Sequence, residues 1–340
     1  MKDALTYDDV LLVPQYSDIN SRREVDISSR LDDNIVLNMP IISSPMDTVT
    51  ETLMAVAMDN AEGLGVVHRY NEIEQQALLV KNLYYAGVKN PAAAIGMTGD
   101  YMERASELVS AGAYILCVDV AHGHHAMMER CLKTLKDLFG SDIHIMAGNV
   151  ATREAYEALS RWGADSIRCN IGGGSICSTR IQTGHGVPGL QTILDCAESE
   201  LDTPIIADGG IRNSGDIAKA IAAGADFVMV GSLLAGTDET PGAVVTDKSG
   251  DKYKIYRGMA SRAAQSAWRG RMTSAPEGVS ATVPYRGSVE DILNDLSMGL
   301  KSGLSYSGSR SISEFQSKAK FVRQTAASQT ESAAHILRRR

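Results

Sequence analysis

Short apolar runs of the kind that form buried strands recur along the chain. Their spacing of roughly 20 to 35 residues is about the length of one βα unit. We predict eight strands, at residues 39–44, 63–68, 92–97, 115–120, 143–150, 166–171, 204–209 and 227–232. Amphipathic segments between most of these runs predict helices, at residues 72–85, 101–111, 126–138, 153–162 and 216–223. The alternation predicts an α/β fold, and we favour a closed (β/α)8 TIM barrel over a doubly wound open sheet.

Polar residues and glycines follow the ends of the predicted strands. They occur as Ser44-Pro45-Met46-Asp47, Asp119-Val120-Ala121-His122, Gly148-Asn149, the stretch from Gly172 to Arg180, Asp208-Gly209-Gly210 and Gly231-Ser232. The active site of a (β/α)8 barrel lies at the carboxyl ends of its strands. These residues, which are scattered along the sequence, are therefore predicted to meet at one site.

The stretch Gly172-Gly173-Gly174-Ser175-Ile176-Cys177-Ser178-Thr179-Arg180 places one cysteine on a glycine-rich loop. Cys117, in contrast, lies inside an apolar run, where a cysteine usually only packs. Positive charge and backbone N–H groups favour the thiolate, which is the reactive form of cysteine. With a hydroxyl residue on each side and Arg180 three residues on, Cys177 is predicted to be a covalent nucleophile.

Two glycine-containing segments end the last two predicted strands. Barrels often bind phosphate with the loops after strands seven and eight, where glycines expose backbone N–H groups. We therefore interpret Asp208-Gly209-Gly210 and Gly231-Ser232 as a nucleotide phosphate site, with Asp208 placed to accept hydrogen bonds from a ribose diol. The alternative is that the two glycines form only a turn and that Asp208 caps a helix.

The histidines offer weaker signals. Asp119 with His122, His124 and His125 has no recognised zinc spacing, so we expect Asp119 to hold a polar group of a substrate or cofactor. His68 follows an apolar run and is interpreted equally well as a structural histidine or as a site residue.

The segment from Tyr256 to Gly278 is rich in Gly, Ser, Ala and Arg and has little periodicity. A long polar insertion after the last barrel strand is typical of a mobile active-site flap. The alternative is that this segment is only a surface loop, with no role in the active site.

Composition excludes several classes of protein. Apolar residues make up 44% and charged residues 22% of the 340 residues, which is ordinary for a globular chain. The net charge of −8 argues against nucleic acid as a partner, since phosphate binding needs a basic face. No apolar run is long enough to span a membrane, and no hydrophobic signal follows Met1. The five cysteines fit neither a disulfide framework nor a CxxC metal site, so we expect a reducing, cytoplasmic location.

Longer motifs then allow an assignment to a family. They are Leu5 to Pro14 (LTYDDVLLVP), Ser44 to Glu51 (SPMDTVTE), Gly148 to Thr152 (GNVAT), the cysteine loop, Ala207 to Arg212 (ADGGIR) and Tyr256 to Met259 (YRGM). Over nearly its whole length the chain resembles the IMP dehydrogenase and GMP reductase family. The resemblance implies a homotetrameric barrel that binds a purine nucleoside monophosphate and a nicotinamide cofactor, NAD or NADP.

The resemblance also implies roles for individual residues. Cys177 would attack purine C2, and Thr179 would assist proton transfer. The nucleotide would be held by Ser44, Met46, Ser175, Asp208, Gly210, Gly231, Ser232, Tyr256, Gly258, Met259 and Glu277. The cofactor would lie near Asp119, Asn149 and Arg180. A potassium ion would be held by Gly172, Gly174 and Cys177, completed by Glu331 and Ser332 from the tail of a neighbouring subunit.

By the same resemblance, residues 1–340 form a single catalytic barrel domain with a flap at about 258–284 and a C-terminal tail at about 322–340. Most dehydrogenases of the family carry a pair of regulatory CBS modules after the second barrel strand. The segment between His68 and Gly87 is too short to contain them. The missing CBS insertion and the short flap both resemble the reductases.

Other segments resemble the dehydrogenases. Reductases carry a glutamate in a Ser-Ser-Glu or Ala-Ser-Glu turn, where this chain has Ala260-Ser261-Arg262. The segment from Glu277 to Gly287 and the tail Thr330-Glu331-Ser332 also resemble dehydrogenases. A dehydrogenase flap usually supplies an Arg-Tyr pair to activate water. Here no tyrosine is present, and that role would rest on Arg269 or Arg271.

We therefore favour oxidation of IMP to XMP with NAD, through a Cys177 thioimidate, in guanine nucleotide synthesis. Reduction of GMP to IMP and ammonia with NADPH is the alternative, and a barrel that binds nucleotide without catalysis is an alternative of another class. The family's usual proline at position 173 is replaced by glycine, which is expected to loosen the cysteine loop.

Overall fold

The computed structural model describes residues 3–269, 275–332 and 334. Its strands are β1 (Val10–Leu12), β2 (Ser29–Arg30), β3 (Val36–Leu37), β4 (Ile41–Ser43), β5 (Leu64–Val67), β6 (Ala92–Ile95), β7 (Ile115–Asp119), β8 (His144–Val150), β9 (Ser166–Cys169), β10 (Ile205–Asp208), β11 (Phe227–Val230), β12 (Val245–Thr246), β13 (Lys252–Arg257), β14 (Ser280–Pro284) and β15 (Phe321–Arg323).

The α-helices are α1 (Thr52–Asn60), α2 (Ile73–Tyr85), α3 (Tyr101–Ser110), α4 (Ala126–Phe139), α5 (Arg153–Arg161), α6 (Thr179–Thr183), α7 (Gly189–Ala197), α8 (Ser214–Ala222), α9 (Arg262–Arg269), α10 (Val289–Tyr306), α11 (Ile312–Lys318) and α12 (Ala326–Glu331). Two short 3-10 helices cover Tyr7–Asp9 and Arg22–Glu24. No helix in the described ranges is both long enough and apolar enough to cross a membrane.

Strands β4 to β11 form a closed parallel barrel, which confirms the predicted (β/α)8 fold and excludes the open sheet. The barrel closes where β11 pairs with β4, with Met229 opposite Ile42. All eight predicted runs contain a barrel strand, and all five predicted helices are present.

Seven of the twelve described α-helices were not predicted, among them α1, α7 and α10. The α1 segment is apolar at almost every position, so it has no polar face to reveal a helical period. Helix α7 begins with Pro188 as its N-cap and Gly189 as its first residue, a pair that is typical of a turn. The third is α10, the longest helix described.

Alternating side chains of the strands build two apolar layers. Ile42, Val66 and Cys117 point into the barrel interior, while their neighbours Ile41 and Val67 face the surrounding helices. Such a double-sided environment explains why the strands are continuous apolar runs rather than alternating ones. The barrel interior is therefore a packed core, and ligands can be held only at its rim.

A short hairpin, β2 with β3, closes the amino-terminal end of the barrel. Leu31 and Ile35 of this hairpin are fully buried against the interior side chains. Asp32 at its turn contacts Nδ1 of His144 at 2.5 Å, and Nε2 of His144 lies 2.8 Å from the hydroxyl of Ser166. Because His144 and Ser166 begin two adjacent barrel strands, this chain of polar contacts fastens the hairpin to the barrel floor.

We expect Asp32→Asn to destabilise the protein by about 1–3 kcal/mol at pH 7, since the replaced group faces a buried imidazole. The hydrogen bond with His144 lowers the pKa of Asp32 in the folded protein. The contribution of Asp32 is therefore present above the pKa of an unfolded aspartate, about 4, and is lost as the pH falls through the lower folded value. Urea unfolding of both proteins from pH 7 to pH 3 measures this difference.

The matched control is Asp33→Asn, because Asp33 is almost fully exposed and its ion pair with the exposed Arg30, at 3.6 Å, is a surface contact. This variant should unfold like the wild type at every pH. A stability difference for Asp32→Asn that did not shrink in acid would contradict the proposed role of the Asp32–His144 contact.

Candidate active site

A cleft of about 360 Å³ opens at the carboxyl ends of the barrel strands. Its volume is within the range of small-molecule sites. Seventeen of the residues selected from the sequence line it: Ser44, Met46, Asp119, Asn149, Gly172, Gly174, Ser175, Cys177, Thr179, Asp208, Gly210, Gly231, Ser232, Tyr256, Gly258, Met259 and Glu277. The predicted convergence of strand-end residues is thus present in the structure.

Cys177 differs from the other cysteines in its surroundings. It is half-buried, and its Sγ lies 3.1 Å from Oγ1 of Thr179 in the cleft wall. The four other cysteines are buried, and burial raises the pKa of Cys117 to about 11 and that of Cys131 to about 12. A thiol that keeps its proton is a poor nucleophile, so Cys177 is the cysteine suited to covalent chemistry.

The cysteine loop is held by the flap segment, residues 258–284. The N–H of Ser178 donates to the carbonyl of Glu277 at 2.9 Å, and the N–H of Val279 donates to the carbonyl of Ile176 at the same distance. The Ser178 hydroxyl also donates to the carbonyl of Pro276 at 3.0 Å. The described flap residues therefore contribute to the cleft wall, Glu277 among them. The side chain of Arg269 and all of Arg271 are outside the described residues.

Backbone donors cluster where β10 and β11 end. The N–H groups of Gly210, Gly231 and Ser232 donate to no acceptor within residues 3–269, 275–332 and 334. A Cβ on Gly231 would lie only 3.0 Å from Oη of Tyr256, so a side chain there would press on the cleft wall. Free N–H groups on a glycine-rich rim suit the oxygens of a phosphate, as the sequence predicted.

The hydroxyl of Tyr256 is placed beside this rim. Burial raises the pKa of Tyr256, and the neighbouring hydroxyls of Ser175 and Ser232 offset that rise only in part. Tyr256 therefore remains a neutral phenol that can donate one hydrogen bond into the site.

A buried arginine that the sequence analysis missed organises the opposite wall. Arg168 donates to Oδ1 of Asp119 at 2.6 Å and to Oδ2 of Asp208 at 2.8 Å. Burial by itself lowers the pKa of the Arg168 guanidinium, but the carboxylates of Asp208 and Asp119, together with Cys117, raise it well above its ordinary value. A charged residue within the apolar run 166–171 was the available signal, because such a residue is rarely buried without a partner.

Two further polar groups complete this wall. The amide of Asn149 donates to Oδ2 of Asp208 at 2.7 Å. Arg69, also missed, donates to the carbonyl of Asp119 at 3.2 Å, while its buried Nε has no hydrogen-bond partner among the described residues. Nε of Arg69 also lies 3.8 Å from Oδ2 of Asp119, an ion pair that leaves the Asp119 carboxylate between two arginines.

Arg180 lies away from the cleft. Its guanidinium donates to the carbonyls of Val187 at 2.6 Å and Ile171 at 3.1 Å and contacts Oδ1 of Asn170 at 3.4 Å. The cation expected near Cys177 therefore braces the base of the loop instead. The short separation in sequence suggested that the Arg180 guanidinium lies beside Cys177. The turn after Cys177 instead directs this side chain to the base of the loop.

The histidines are used locally. His68 is buried, with Nε2 3.0 Å from Glu51 and Nδ1 accepting from the N–H of Tyr70, which fits the structural interpretation. Nδ1 of His125 accepts from the N–H of Met127 at the start of α4. His124 lies against the ring of Trp162.

The candidate cation ligands are only partly engaged. The carbonyl of Gly174 accepts the N–H of Cys177 at 3.0 Å, whereas those of Gly172 and Cys177 accept no hydrogen bond from the described residues. Two free carbonyls on one tight loop suit potassium, an ion of low charge density that takes oxygen ligands. Glu331 ends α12 and Ser332 follows it, with the Ser332 hydroxyl donating to the carbonyl of Ser328.

Comparison with known proteins agrees with this geometry. Residues 4–335 match the IMP dehydrogenase / GMP reductase domain family. The chain is 35% identical over 470 aligned positions to the inosine-5'-monophosphate dehydrogenase of Nitrosopumilus maritimus, with 98% of each chain covered. It is 40% identical over 385 positions to the inosine-5'-monophosphate dehydrogenase of Cryptosporidium parvum, covering 97% of this chain and 94% of that one.

A solved structure is similar over the whole fold. It is a cysteine-to-alanine variant of GMP reductase from Trypanosoma brucei in complex with guanosine 5'-monophosphate, with a TM-score of 0.91, 33% identity and 98% of both chains covered.

Exposure and pKa together predict which cysteine reacts. We expect iodoacetamide near neutral pH to modify Cys177 first, since the other four cysteines are buried. Mass spectrometry of the digested protein identifies the labelled residue. In Cys177→Ser the native protein should resist labelling for at least ten times as long, whereas a Cys131→Ser control should label like the wild type. Early labelling of any buried cysteine would refute this assignment.

Proposed function

The chain belongs to the IMP dehydrogenase / GMP reductase family of NAD(P)-dependent oxidoreductases that act on purine nucleotides, and from this premise we propose that it oxidises IMP to XMP with NAD. The single observation that carries the proposal is the Cys177–Thr179 pair, Sγ to Oγ1 at 3.1 Å, in a cleft whose rim offers free backbone N–H groups. The pair supplies a nucleophile, and the rim supplies an anchor for the nucleotide.

The phosphate of the nucleotide binds at the N–H groups of Gly210, Gly231 and Ser232. Tyr256 donates a hydrogen bond at the same rim, and Ser175 stands beside it. Ser44, Met46, Gly258 and Met259 line the same cleft and hold the nucleoside. With the phosphate fixed at one end, the purine extends toward the cysteine loop, and Asp208 faces the ribose. Such fixed placement lowers the entropic part of the barrier.

The covalent step uses the cysteine as a nucleophile. Sγ of Cys177 forms a bond to purine C2, and the hydrogen on C2 leaves with its electron pair. NAD, when bound, accepts that hydride. Thr179 takes part in the proton transfers that accompany attack by the thiol and by water. Water then cleaves the carbon–sulfur bond, which releases XMP and restores the thiol.

The cofactor lies against the wall formed by Asp119, Asn149 and Arg69. Arg168 fixes the carboxylate of Asp119, and Arg69 adds a second, longer ion pair to it at 3.8 Å. Arg180 braces the loop beneath this region through the carbonyls of Ile171 and Val187.

Potassium, where bound, would be held by the carbonyls of Gly172 and Cys177 and, after a small movement, of Gly174. Glu331 and Ser332 of a neighbouring copy in a homotetramer complete the site. The positive charge of the potassium ion would hold these carbonyls in place and so stiffen the loop that carries Cys177.

Two observations favour the dehydrogenase direction. In a reductase, the residue that corresponds to position 262 is a glutamate that donates a proton to the departing ammonia. In this chain the position is occupied by Arg262, which is exposed at the start of α9. Of the carboxylates that line the cleft, Asp119 pairs with Arg168 and Arg69, Asp208 pairs with Arg168, and Glu277 faces the purine. By the family resemblance, water activation rests on Arg269, with Arg271 as the alternative. In favour of a GMP reductase stands the similarity to a solved GMP reductase.

We also propose that the chain is one catalytic domain without CBS modules. The 470-position alignment exceeds the 340 residues of this chain, which supports a long internal segment in that relative with no counterpart here. The five free cysteines support a reducing, cytoplasmic location.

The first test measures the absorbance of reduced nicotinamide in two parallel assays, one with IMP, NAD and potassium and one with GMP and NADPH. A rise in absorbance in the first assay alone supports the proposal. The rate of that rise should fall by at least a factor of about 10³ in Cys177→Ala. A fall in the second assay alone would establish the reductase instead. Silence in both assays, with nucleotide still bound in calorimetry, would favour a non-catalytic barrel.

Pre-steady-state kinetics can identify the reaction step in which a flap arginine acts. If Arg269 activates water, Arg269→Ala should retain the rapid burst of hydride transfer, while steady-state turnover falls by about 10² or more. The covalent adduct at Cys177 should then accumulate and be visible by mass spectrometry. Arg262→Ala is the control on the same helix and should behave like the wild type. Loss of the burst itself would mean that Arg269 acts before hydrolysis.

A further inference from the structure

We propose that Asn170 is a positioning residue that sets the cysteine loop against the phosphate-binding loop, an inference that rests on the function proposed above. Asn170 follows β9 directly, is buried, and has φ = 143°, a conformation that residues other than glycine rarely adopt. A buried asparagine held in such a conformation points to contacts that compensate for its strain.

The side chain of Asn170 makes those contacts to two separate segments. The side-chain amide of Asn170 donates to the carbonyls of Asp208 at 2.9 Å and Gly209 at 3.3 Å. Its oxygen Oδ1 accepts from the guanidinium of Arg180 at 3.4 Å. The side chain therefore has its hydrogen-bonding groups satisfied within the protein, and it joins β9 to the loop after β10 and to the helix after Cys177.

The backbone of Asn170 adds a third attachment, to the end of β8. Its N–H donates to the carbonyl of Val150 at 2.8 Å, and its carbonyl accepts from the amide of Asn149 at 3.0 Å. The loops after β8, β9 and β10 thus meet at this single residue. These loops carry the cofactor wall, the nucleophile and the phosphate rim.

The position of the Asn170 amide explains why residue 173 is a glycine. A Cβ on Gly173 would lie 2.1 Å from Nδ2 of Asn170, a distance at which the amide must move. If the amide moved, it would lose its hydrogen bonds to Asp208 and Gly209. By contrast, a Cβ on Gly174 would meet only Cβ of Cys177, at an ordinary 3.5 Å. Asn170 and Gly173 are therefore a coupled pair, and the asparagine amide supplies the rigidity that the glycine lacks.

The variant Asn170→Gly separates positioning from stability. Glycine adopts φ = 143° without strain, so the melting temperature should stay within about 4 °C of the wild type. The Asp208-Gly209 loop, however, would no longer be tied to the cysteine loop. We expect the rate of Cys177 alkylation to change at least threefold and the Kd for IMP or GMP, measured by calorimetry, to rise about tenfold. In the active direction, kcat/KM should fall about tenfold.

The isosteric variant Asn170→Asp provides a second measurement. Its carboxylate keeps the shape of the amide but directs acceptors at the carbonyls of Asp208 and Gly209, so nucleotide affinity should fall further than in Asn170→Gly. Equal or smaller loss would show that the amide donors do not matter.

The coupling is tested by a double-mutant cycle. Gly173→Ala alone should weaken nucleotide binding at least tenfold, because its methyl group displaces the Asn170 amide. In the Asn170→Gly background the same substitution should cost less than threefold, since the space is then empty. The control is Gly174→Ala, whose effect should be the same in both backgrounds.

Additive effects of the 170 and 173 substitutions would overturn the proposal. So would an Asn170→Gly variant whose alkylation rate and nucleotide affinity both lie within twofold of the wild type. Alkylation and binding of IMP or GMP do not depend on which reaction is catalysed. A failure of the proposed reaction would therefore leave this test intact.

Discussion

Closure of the parallel sheet between β11 and β4 is the constraint on which the site depends. These strands are separated by most of the barrel sequence, yet they pair in register with Val230 opposite Ser43. Once the ring is closed, all eight strands end at the same rim. Segments that are far apart in the sequence, such as those containing Ser44 and Ser232, then line one cleft. The fold gathers the chemistry because parallel strands share one polarity.

At that rim, the buried charged side chains are paired with one another through direct contacts rather than solvated by water. Arg168 rises from the barrel interior and divides its guanidinium between Asp119 and Asp208. Removing one member of such a buried set typically costs 3–5 kcal/mol, because an uncompensated charge remains. The same ion pairs hold both carboxylates in fixed positions on the cleft wall. A site built in this way is preorganised before any ligand arrives.

Close approach of backbones is the second feature that shapes the site. The loops after β9 and β10 touch through main-chain atoms, so a Cβ on Gly210 would lie 3.1 Å from the carbonyl of Gly173. The flap adds its own main-chain contacts to the cysteine loop through Ser178 and Val279. The nucleophile therefore lies on a loop that is held from two sides, although its sequence of three glycines suggests freedom. Asn170 links these contacts to the strand below.

Local sequence determined much of this protein. The apolar runs and their spacing identified the eight strands, because burial on both faces demands continuous apolar residues. Glycines and a lone polar cysteine after the strands identified the cysteine loop and most of the cleft residues. Family motifs then narrowed the chemistry to purine nucleotide oxidoreduction.

Tertiary structure alone decided how these pieces meet. The sequence suggested a cation beside Cys177, but the backbone turn directs Arg180 to the base of the loop. It also suggested a loose loop at Gly173, whereas the amide of Asn170 occupies the adjacent space. Neither Arg168 nor Asn170 was selected as functional, because the carboxylates that pair with Arg168 and the carbonyls that hold the Asn170 amide lie 38 to 49 residues away. Periodicity and motifs report local preferences, while the direction of a side chain depends on contacts that exist only after the barrel has closed.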